Sequence, residues 1–298
     1  MSGAPAFAVG STFLATPNAD AGAPFCIAGA PLDLGTSNRP GARFGPAAIR
    51  AASRMLIDGC HPTLDVACSE LAIADIGNFE IALGDIARSF DLIERQASDC
   101  AHLVTLGGDH GVTLPLLRAL AKKRGPLGLV HFDAHIDTWP ETSGQIYGHG
   151  SVFYHAILEG LVDPHRMIQI GIRSPVEREV VSWTRDRGVT MISAQDVHAL
   201  GVHAVARRID EVVGEGETYL SFDIDALDPA FAPGTGTPEI AGLATWQAQA
   251  ILRAIGGVDF VGMDMMEVAP AYDVSEITAL AAATLVWEYL CRAQRRFA

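Results

Sequence analysis

The chain has 298 residues, of which 49% are hydrophobic and 19% are charged, and this composition suits a globular protein with a sizeable core. Its formal net charge of -14 disfavours nucleic acid and membrane surfaces as partners, because an acidic protein repels phosphate and anionic lipid. Five cysteines, an odd number with no C-x-x-C pair, argue against a secreted disulfide scaffold and a thiolate zinc site, and we expect buried free thiols in a reducing cytoplasm.

Short apolar runs alternate with helix-like stretches along the chain. Residues 1–20 carry no signal-peptide pattern. Residues 1–22 predict an irregular N-terminal extension of a single domain that spans 1–298. Helices are predicted at 46–55, where Pro46 suits a first helical position, and at 86–97 and 114–121. Eight strands are predicted, at residues 25–28, 71–76, 103–106, 127–132, 167–172, 189–192, 218–222 and 260–263.

This alternation predicts the fold class. Strands that are buried on both faces and separated by helices indicate an α/β domain with a mostly parallel sheet. The longest apolar stretch, residues 277–290, is interrupted by Glu288 and predicts a buried helix rather than a membrane span. In parallel sheets ligands bind beyond the carboxyl ends of the strands, and four predicted strands end directly in acidic or imidazole residues.

Two of these strand ends contain histidine. In GGDH (107–110) two glycines allow a tight turn that points the next side chain into a cleft, although a surface His110 after an ordinary turn fits equally. In DAHID (133–137) the residues Asp133, His135 and Asp137 alternate, so in extended backbone they share one face. Clustered carboxylates repel one another and resist burial, and a bound metal removes that cost. The alternative, a polar edge strand, fits poorly with the apolar run before it.

The other two strand ends contain carboxylates alone. Asp223 and Asp225 alternate after an apolar strand, and Asp228 before a proline predicts a turn. Glu267 follows the last strand and is a candidate to bind a cation, although an isolated glutamate there is more often structural. The combined donors are two imidazoles and four carboxylates without thiolate, which suits Mn²⁺ and is too many for one catalytic zinc ion. These six candidate ligands are His110, Asp133, His135, Asp137, Asp223 and Asp225.

With this order of motifs the chain resembles the ureohydrolase family of arginases, agmatinases and guanidino-acid hydrolases, and it is most similar to the agmatinase branch. The resemblance covers nearly the whole chain. It implies a three-layer α/β sandwich with a parallel central sheet, as in arginases and deacetylases, two Mn²⁺ ions per subunit, and a homo-oligomer that is a trimer or hexamer. The motifs are GARFGPAAIR (41–50), GGDH (107–110), DAHID (133–137), SFDID (221–225), EVAPAYD (267–273) and ITAL (277–280).

The resemblance also implies a role for each site residue. His149 in GHGSVF (148–153) matches the proton-transfer histidine of the family, although without that motif it would be an ordinary loop histidine. Glu267 matches the carboxylate that pairs with the guanidinium of the substrate. Two positions depart from the pattern, since Ile136 stands where Thr or Ser is common and Gly111 where a larger residue is usual. His110 and Asp137 would hold one manganese ion, His135 and Asp225 the other, and Asp133 and Asp223 would bridge them.

The implied reaction is hydrolysis of a guanidino compound to urea and an amine. Two Mn²⁺ ions would lower the pKa of a bridging water that Asp137 orients, Glu267 would position the guanidinium, and His149 would give a proton to the leaving amine. Agmatine is the expected small-molecule substrate, which places the product putrescine in polyamine biosynthesis. HGSVFY (149–154) and LDPAFAPGTGTP (227–238) support this branch, and an acidic protein slightly favours a cationic substrate.

Other functions remain open. The loop 227–238 is shared with guanidino-acid hydrolases, so a guanidinobutyrase or guanidinopropionase is the main alternative. Residues 142–144, Thr-Ser-Gly, resemble the substrate loop of arginase, but the neighbouring sequence differs. A non-catalytic guanidino-binding relative and a metal-dependent deacylase fit less well, because all six metal positions together with His149 and Glu267 are present.

Overall fold

The computed structural model describes residues 12–16 and 21–295, and in it eight parallel strands form one central sheet. The order across the sheet is β2-β1-β3-β8-β7-β4-β5-β6, and every pair of neighbouring strands is parallel. All eight predicted strands are confirmed. They are β1 (Phe25–Ala30), β2 (Ile73–Asn78), β3 (Leu103–Gly107), β4 (Leu127–Phe132), β5 (Val162–Ile172), β6 (Thr190–Ser193), β7 (Glu217–Asp223) and β8 (Asp259–Met266).

Helices cover both faces of this sheet. Alternate residues of β1 point to opposite faces: Ile27 packs with the helices of one face, and Cys26 and Ala28 pack with those of the other. The three-layer α/β architecture and the predicted helices at 46–55, 86–97 and 114–121 are therefore confirmed. The helices are α1 (Gly45–Ser53), α2 (Ile86–Ala97), α3 (Thr113–Arg124), α4 (Val152–Leu158), α5 (Arg178–Asp186), α6 (Ala194–Leu200), α7 (Val202–Val213), α8 (Thr245–Ala254) and α9 (Ile277–Arg295).

The apolar stretch near the carboxyl end forms α9, which is buried as predicted. Its Glu288 is buried but paired, because Arg253 and Gln249 donate to its carboxylate and His61 lies 2.9 Å from Oε2. A buried carboxylate needs such partners to stay ionised. Among the described residues no helix has the length and apolar character that a bilayer crossing requires.

One part of the predicted N-terminal extension belongs to the core. Phe13–Ala15 form a short 3-10 turn in which Phe13 and Leu14 are buried. The backbone N–H of Phe13 donates to Asp75 Oδ2 at 2.8 Å, and that of Leu14 donates to Ser53 Oγ at 2.8 Å. Residues 1–11 and 17–20 of the predicted extension lie outside the described residues.

The prediction of buried free thiols is partly wrong. All five cysteines are free, and Cys26, Cys100 and Cys291 are buried. Cys60 is exposed and Cys68 is half-buried, and both lie in the segment between α1 and β2, away from the central sheet. Cys60 forms an isolated antiparallel bridge with Ala67, and Cys68 begins a short 3-10 turn. The composition gave no signal for this difference.

The four strands that end in acidic or imidazole residues are neighbours in the sheet. The order β3-β8-β7-β4 brings their carboxyl ends side by side near the centre of the sheet. Strand ends at the centre are shielded on both sides by further strands, so polar side chains there can be buried together. This placement sets the position of the candidate site.

Candidate active site

A glycine turn at the end of β3 directs His110 into the site. Gly108 has φ of 25°, and a Cβ on it would lie 2.3 Å from the carbonyl oxygen of Ala30 and 2.5 Å from that of Leu32. Only glycine fits such a close approach of two backbones. Asp109 holds the turn, since its carboxylate accepts the backbone N–H groups of Gly35 at 2.9 Å and Gly111 at 3.1 Å.

The predicted extended arrangement of the aspartates is wrong, although their side chains do converge. Strand β4 ends at Phe132, before Asp133, and Asp137 has φ of 48° in the left-handed region. Strand β7 ends at Asp223, and Asp225 lies in a 3-10 turn, Ile224–Ala226. Turns rather than alternation therefore aim these carboxylates. Of these residues, Asp137 alone lies in left-handed backbone, a form of local strain often found at functional sites.

The convergence produces two linked groups of donor atoms. His110 Nδ1 lies 3.2 Å from Asp133 Oδ2, 3.2 Å from Asp137 Oδ2 and 3.1 Å from Asp223 Oδ2. His135 Nδ1 lies 3.2 Å from Asp133 Oδ1 and 3.1 Å from Asp225 Oδ2. Asp133 therefore contacts both histidines with its two oxygens. All six predicted ligands lie in this cluster, and all but His135 are buried.

Hydrogen bonds on the far side of His110 fix which ring nitrogen faces the carboxylates. Ser221 Oγ donates to Asp264 Oδ1 at 2.7 Å, and Asp264 Oδ2 also accepts from Thr113 Oγ1 at 2.8 Å. Because the hydroxyl hydrogen of Ser221 is used, its oxygen accepts from His110 Nε2–H at 2.8 Å. The second nitrogen, Nδ1, is buried and forms no well-directed hydrogen bond with the described residues. A nitrogen lone pair among three carboxylate oxygens requires positive charge, which either a proton or a metal ion supplies, so this atom fits a metal ligand.

The sequence gave no role to His131, which also reaches the cluster. Gln169 Nε2 donates to the Ile136 carbonyl at 2.6 Å and lies 3.2 Å from His131 Nδ1, so Nδ1 accepts. The Nε2–H of His131 therefore donates to Asp133 Oδ2 at 2.8 Å. His131 and Asp133 are two residues apart in sequence, and this spacing was the signal that could have revealed the pair. His131 is placed to support the carboxylate that touches both histidines.

The charge of the cluster is unbalanced without cations. Burial lowers the pKa of His135, but the carboxylates of Asp225 and Asp133 outweigh it and raise that pKa to about 12. Burial likewise lowers the pKa of His110, and the surrounding carboxylates raise it well above its usual value. Burial, together with repulsion from Asp225 and Asp133, raises the pKa of Asp223 well above its usual range. Each of these shifts is the expected response of a site built for positive charge.

Glu267 lies beside the cluster at the end of β8, in left-handed backbone with φ of 63°. Its Oε1 accepts the backbone N–H of His110 at 2.9 Å and also accepts from His149 Nδ1 at 3.1 Å. Its Oε2 is buried and accepts no hydrogen bond from the described residues. Gly236 leaves space at this oxygen, because even a Cβ added there would be 3.7 Å away. A buried carboxylate oxygen without a donor is suited to a cationic ligand group.

His149 lies in a 3-10 turn and closes one side of the site. Its Nε2 is 2.7 Å from Ser37 Oγ and accepts the backbone N–H of Ser37 at 3.2 Å. Burial lowers the pKa of His149, but the hydrogen bond and charge of Glu267 outweigh this and raise it to about 9. The N–H of Ser37 acts in the opposite direction, since a proton on Nε2 would face another donor hydrogen.

A cavity of about 410 Å³ opens onto His149, His135, Asp137 and Asp223. Its mouth carries Trp139, whose Nε1–H donates to Glu177 Oε2 at 2.7 Å. No lysine or arginine lines it in the part of the chain that the structure describes. The other lining residues are Ser37, Glu141, Thr142, Ser143, Gly150, Ser174, Pro175, Glu177 and Thr237.

The structure accommodates both residues that depart from the family pattern, Ile136 and Gly111. Ile136 is buried, and its carbonyl is the acceptor for Gln169. Gly111 is tightly enclosed, because an added Cβ would lie 3.0 Å from Asp109 Oδ1 and 3.2 Å from the Tyr147 carbonyl oxygen. Glycine at this position therefore fits the turn and creates no extra room beside the cluster.

Comparisons with known proteins agree with this geometry. A sequence model of the arginase family matches residues 23–291. An agmatinase of Salmonella dublin is 46% identical over 277 residues, which cover 91% of this chain and 88% of the relative. Among solved structures, proclavaminate amidino hydrolase from Streptomyces clavuligerus has a TM-score of 0.93 and 40% identity, covering 98% of this chain and 99% of its own.

A hypothetical agmatinase from Burkholderia thailandensis superposes almost as well, with a TM-score of 0.90, 42% identity and coverage of 98% of this chain and 93% of its own. The match extends over nearly every element of the fold, including all four strands that carry the site. The chain therefore belongs to the arginase family and is a ureohydrolase, an enzyme that hydrolyses a guanidino C–N bond.

Proposed function

We propose that this ureohydrolase converts agmatine to putrescine and urea with two Mn²⁺ ions bound, as a step of polyamine biosynthesis. The observation that supports this substrate is the charge of the cavity: the buried Asp137 and Asp223 line it beside the cluster, and the exposed Glu141 and Glu177 line it as well. Glu267, which contacts the lining residue His149, adds a buried oxygen without a donor among the described residues. Agmatine carries a guanidinium at one end and an ammonium at the other. A cavity with carboxylates at both ends matches this distribution of charge.

The metal centre is proposed from the donor atoms. His110 and Asp137 would hold one ion, His135 and Asp225 the other, and Asp133 and Asp223 would bridge them, a set of imidazole and carboxylate ligands that suits Mn²⁺. The orphaned Nδ1 of His110 and the contacts of Asp133 with both histidines support this assignment. When bound, such ions would lower the pKa of a water molecule toward neutrality, which makes water nucleophilic.

The chain's own residues would bind the guanidinium, orient the water and protonate the leaving amine. Oε2 of Glu267 would accept a guanidinium N–H and hold the central carbon beside the cluster, an effect of proximity and orientation. Asp137, whose turn aims its carboxylate at the cluster, would accept a hydrogen bond from the attacking water. His149 Nδ1–H lies at the same carboxylate and would donate its proton to the leaving nitrogen.

A guanidino-acid hydrolase remains the second candidate. The relative named proclavaminate amidino hydrolase is 40% identical and covers the whole fold. Hydrolysis of a guanidino C–N bond is therefore better supported than the identity of the amine that is released. A substrate with a carboxylate tail would require a cationic partner at the mouth. Arg173 lies near, but its guanidinium is held by carbonyl oxygens, including those of Asp225, Glu239 and Ile240. This favours a cationic tail.

The test is urea release by manganese-loaded protein with agmatine, 4-guanidinobutyrate, 3-guanidinopropionate and arginine side by side. We expect rapid turnover of agmatine alone. Glu177→Gln should raise the KM for agmatine, because it removes a charge at the mouth without reaching the reacting carbon. Turnover of a guanidino acid in preference to agmatine would overturn the substrate assignment and leave the ureohydrolase chemistry intact.

The cellular setting is also a proposal. The five free cysteines, one of them exposed, support the expected cytoplasmic location, because an oxidising compartment favours paired cysteines. The expected partners are a small guanidino substrate and further copies of this chain, rather than nucleic acid or membrane.

A further inference from the structure

A strap of chain between β1 and α1 reaches across the site and contacts His149 through Ser37. The two residues are 112 positions apart, and Ser37 Oγ lies 2.7 Å from His149 Nε2. Ser37 itself is exposed, whereas His149 is nearly buried. The next residue, Asn38, anchors the strap by donating to the Gly236 carbonyl at 2.9 Å. Ser37 therefore connects a buried ring nitrogen to the outside.

The same contact determines the state of the ring. The backbone N–H of Ser37 can only donate, so Nε2 accepts and the ring proton sits on Nδ1. Nδ1–H then points at Glu267 Oε1, 3.1 Å away. This is the orientation in which His149 can serve a guanidinium held by Glu267.

We propose that Ser37 is a positioning residue for the reaction: it holds His149 with its proton on Nδ1, and its hydroxyl is the path by which that proton is replaced from solvent. This inference rests on the proposed function of the site, in which His149 protonates the leaving amine.

The proton balance closes through Ser37. When Nδ1 gives its proton to the leaving nitrogen as the C–N bond breaks, Nε2 takes the hydroxyl proton of Ser37, so the ring stays neutral. Ser37 Oγ takes a proton from solvent on its exposed side. In the next cycle the transfers run in reverse: the proton that the attacking water loses goes to Nδ1, Nε2 returns its proton to Ser37 Oγ, and Ser37 releases one proton to solvent. The ring then carries its proton on Nδ1 again, and one proton has been taken from solvent and one returned to it. Without the hydroxyl, Nε2 faces the backbone N–H alone and has no route to a proton.

Three carboxylates act on His149 from the elements around it. Glu267 at the end of β8 is in direct contact, and Asp137 after β4 and Asp109 after β3 add attraction at longer range. All three favour a positive ring, whereas burial of the ring and the N–H of Ser37 oppose it. The strap therefore limits the protonation that the carboxylates promote.

The experiment compares Ser37→Ala, Ser37→Thr and Thr36→Val in the manganese-loaded enzyme. Thr36 is the adjacent strap residue, and its buried hydroxyl forms no hydrogen bond with the described residues. Thr36→Val is therefore the control for Ser37→Ala, because it also removes a hydroxyl from the strap. Ser37→Ala should lower kcat for agmatine by about tenfold to a hundredfold, as expected for impaired general acid catalysis, with KM and metal content unchanged. Ser37→Thr should restore most of kcat, and Thr36→Val should match the parent enzyme.

Added imidazole distinguishes a proton path from a packing contact. It should raise kcat of Ser37→Ala in proportion to its concentration and leave the parent enzyme unaffected. Crystal structures of the parent and Ser37→Ala proteins report the orientation of the His149 ring without any turnover. If the parent released no urea, the proposed function would fail, and the ring orientation would still test the contact. Parent-like kcat and an unchanged ring in Ser37→Ala would overturn the inference.

Discussion

Glu267 combines three properties that rarely occur together at one residue: it is buried, its backbone is left-handed, and one carboxylate oxygen has no donor among the described residues. Structural glutamates that are buried have their oxygens paired. The unpaired Oε2 therefore supports the proposed contact of Glu267 with the guanidinium of the substrate. The sequence alone did not exclude a purely structural role for Glu267.

Glu267→Gln tests this role. The amide keeps the shape and removes the charge, so we expect KM for the guanidino substrate to rise about 10- to 100-fold, the value of one charge-assisted hydrogen bond. Both metal ions should remain bound, because Glu267 is not among the proposed ligands. The readouts are steady-state kinetics and metal content per chain. Unchanged kinetics in this variant would reject the assignment.

Ser221 has a less visible role, which is to set the tautomer of His110. Removing its hydroxyl leaves Nε2 of His110 and Oδ1 of Asp264 without their shared partner. We expect Ser221→Ala to weaken Mn²⁺ binding by about 10- to 100-fold, as for other residues that orient metal ligands. Isothermal titration calorimetry measures this directly.

Thr105 provides the control for that experiment. It is a buried threonine on β3, pairs in register with Asp264, and its hydroxyl forms no hydrogen bond with the described residues. Thr105→Val should leave metal affinity unchanged. Equal affinities for Ser221→Ala and the parent protein would contradict the tautomer argument.

At the scale of elements, the sequence predicted where strands occur but not how they end. All eight strands were predictable because their apolar runs are continuous and bounded by turn residues. The ends were predicted as extended backbone because Asp133, His135 and Asp137 alternate, yet this segment forms turns and Asp137 adopts φ of 48°. A left-handed aspartate gives no periodic signal, because the surrounding fold imposes the conformation.

The junction of β3 and α9 contains a buried histidine that lies away from the site. His102 is next to β3, and its Nε2 is 2.7 Å from the hydroxyl of Tyr289 on α9. Burial, with a smaller effect of Arg124, lowers the pKa of His102 to about 4. Above pH 6.5 the ring is neutral in both the folded and the unfolded chain. Between pH 6.5 and 4 only the unfolded chain takes up the proton, so stability is lost as the pH falls through this window.

His102→Gln should remove this pH dependence. The stability of the parent protein relative to the variant should fall by roughly 3 kcal/mol between pH 7 and pH 4, from a shift of about 2.5 pKa units. Urea denaturation at a series of pH values measures the difference. His203, an exposed histidine on α7, provides the control substitution His203→Gln, which should follow the parent curve. Parallel curves for His102→Gln and the parent would contradict the prediction.

For the whole molecule, the fold class was predictable and the strand order was not. Alternation of strands and helices indicates a parallel sheet. The order β3-β8-β7-β4, however, joins residues up to about 160 positions apart, and only the pairing of the strands in three dimensions determines that order. The acidic and imidazole residues at the strand ends indicated the six candidate ligands, and the family resemblance assigned each of them to an ion. Ser37, Ser221 and Gln169 were missed because single polar residues in a strand or loop give no pattern, whereas the spacing of His131 to Asp133 was a signal that could have revealed His131.

The expected homo-oligomer has a candidate contact surface. An apolar groove of about 430 Å³ between the 227–243 loop, α8 and α9 exposes Phe231, Trp246, Ile277 and Leu280, and its lining includes no charged residue among those that the structure describes. We propose that a second copy of this chain covers it. Two copies that each carry a charge of -14 repel one another least where their surfaces are uncharged.

Trp246→Glu tests this surface, since it places a charge at the most exposed aromatic of the groove. Light scattering coupled to size exclusion should show a smaller particle than for the parent protein. Leu83→Glu is the control, because Leu83 is 85% exposed and lies in the loop between β2 and α2, outside the groove. The same mass for all three proteins would exclude the groove as the contact.

The central claim is that the buried cluster holds two ions that the hydrolysis requires. The most direct measurement removes divalent metal by chelation and returns Mn²⁺ in steps while urea release from agmatine is followed. We predict that activity is lost on chelation, returns with Mn²⁺ and saturates at two ions per chain. Urea release that persists in the chelated protein, or that saturates at one ion per chain, would contradict the account.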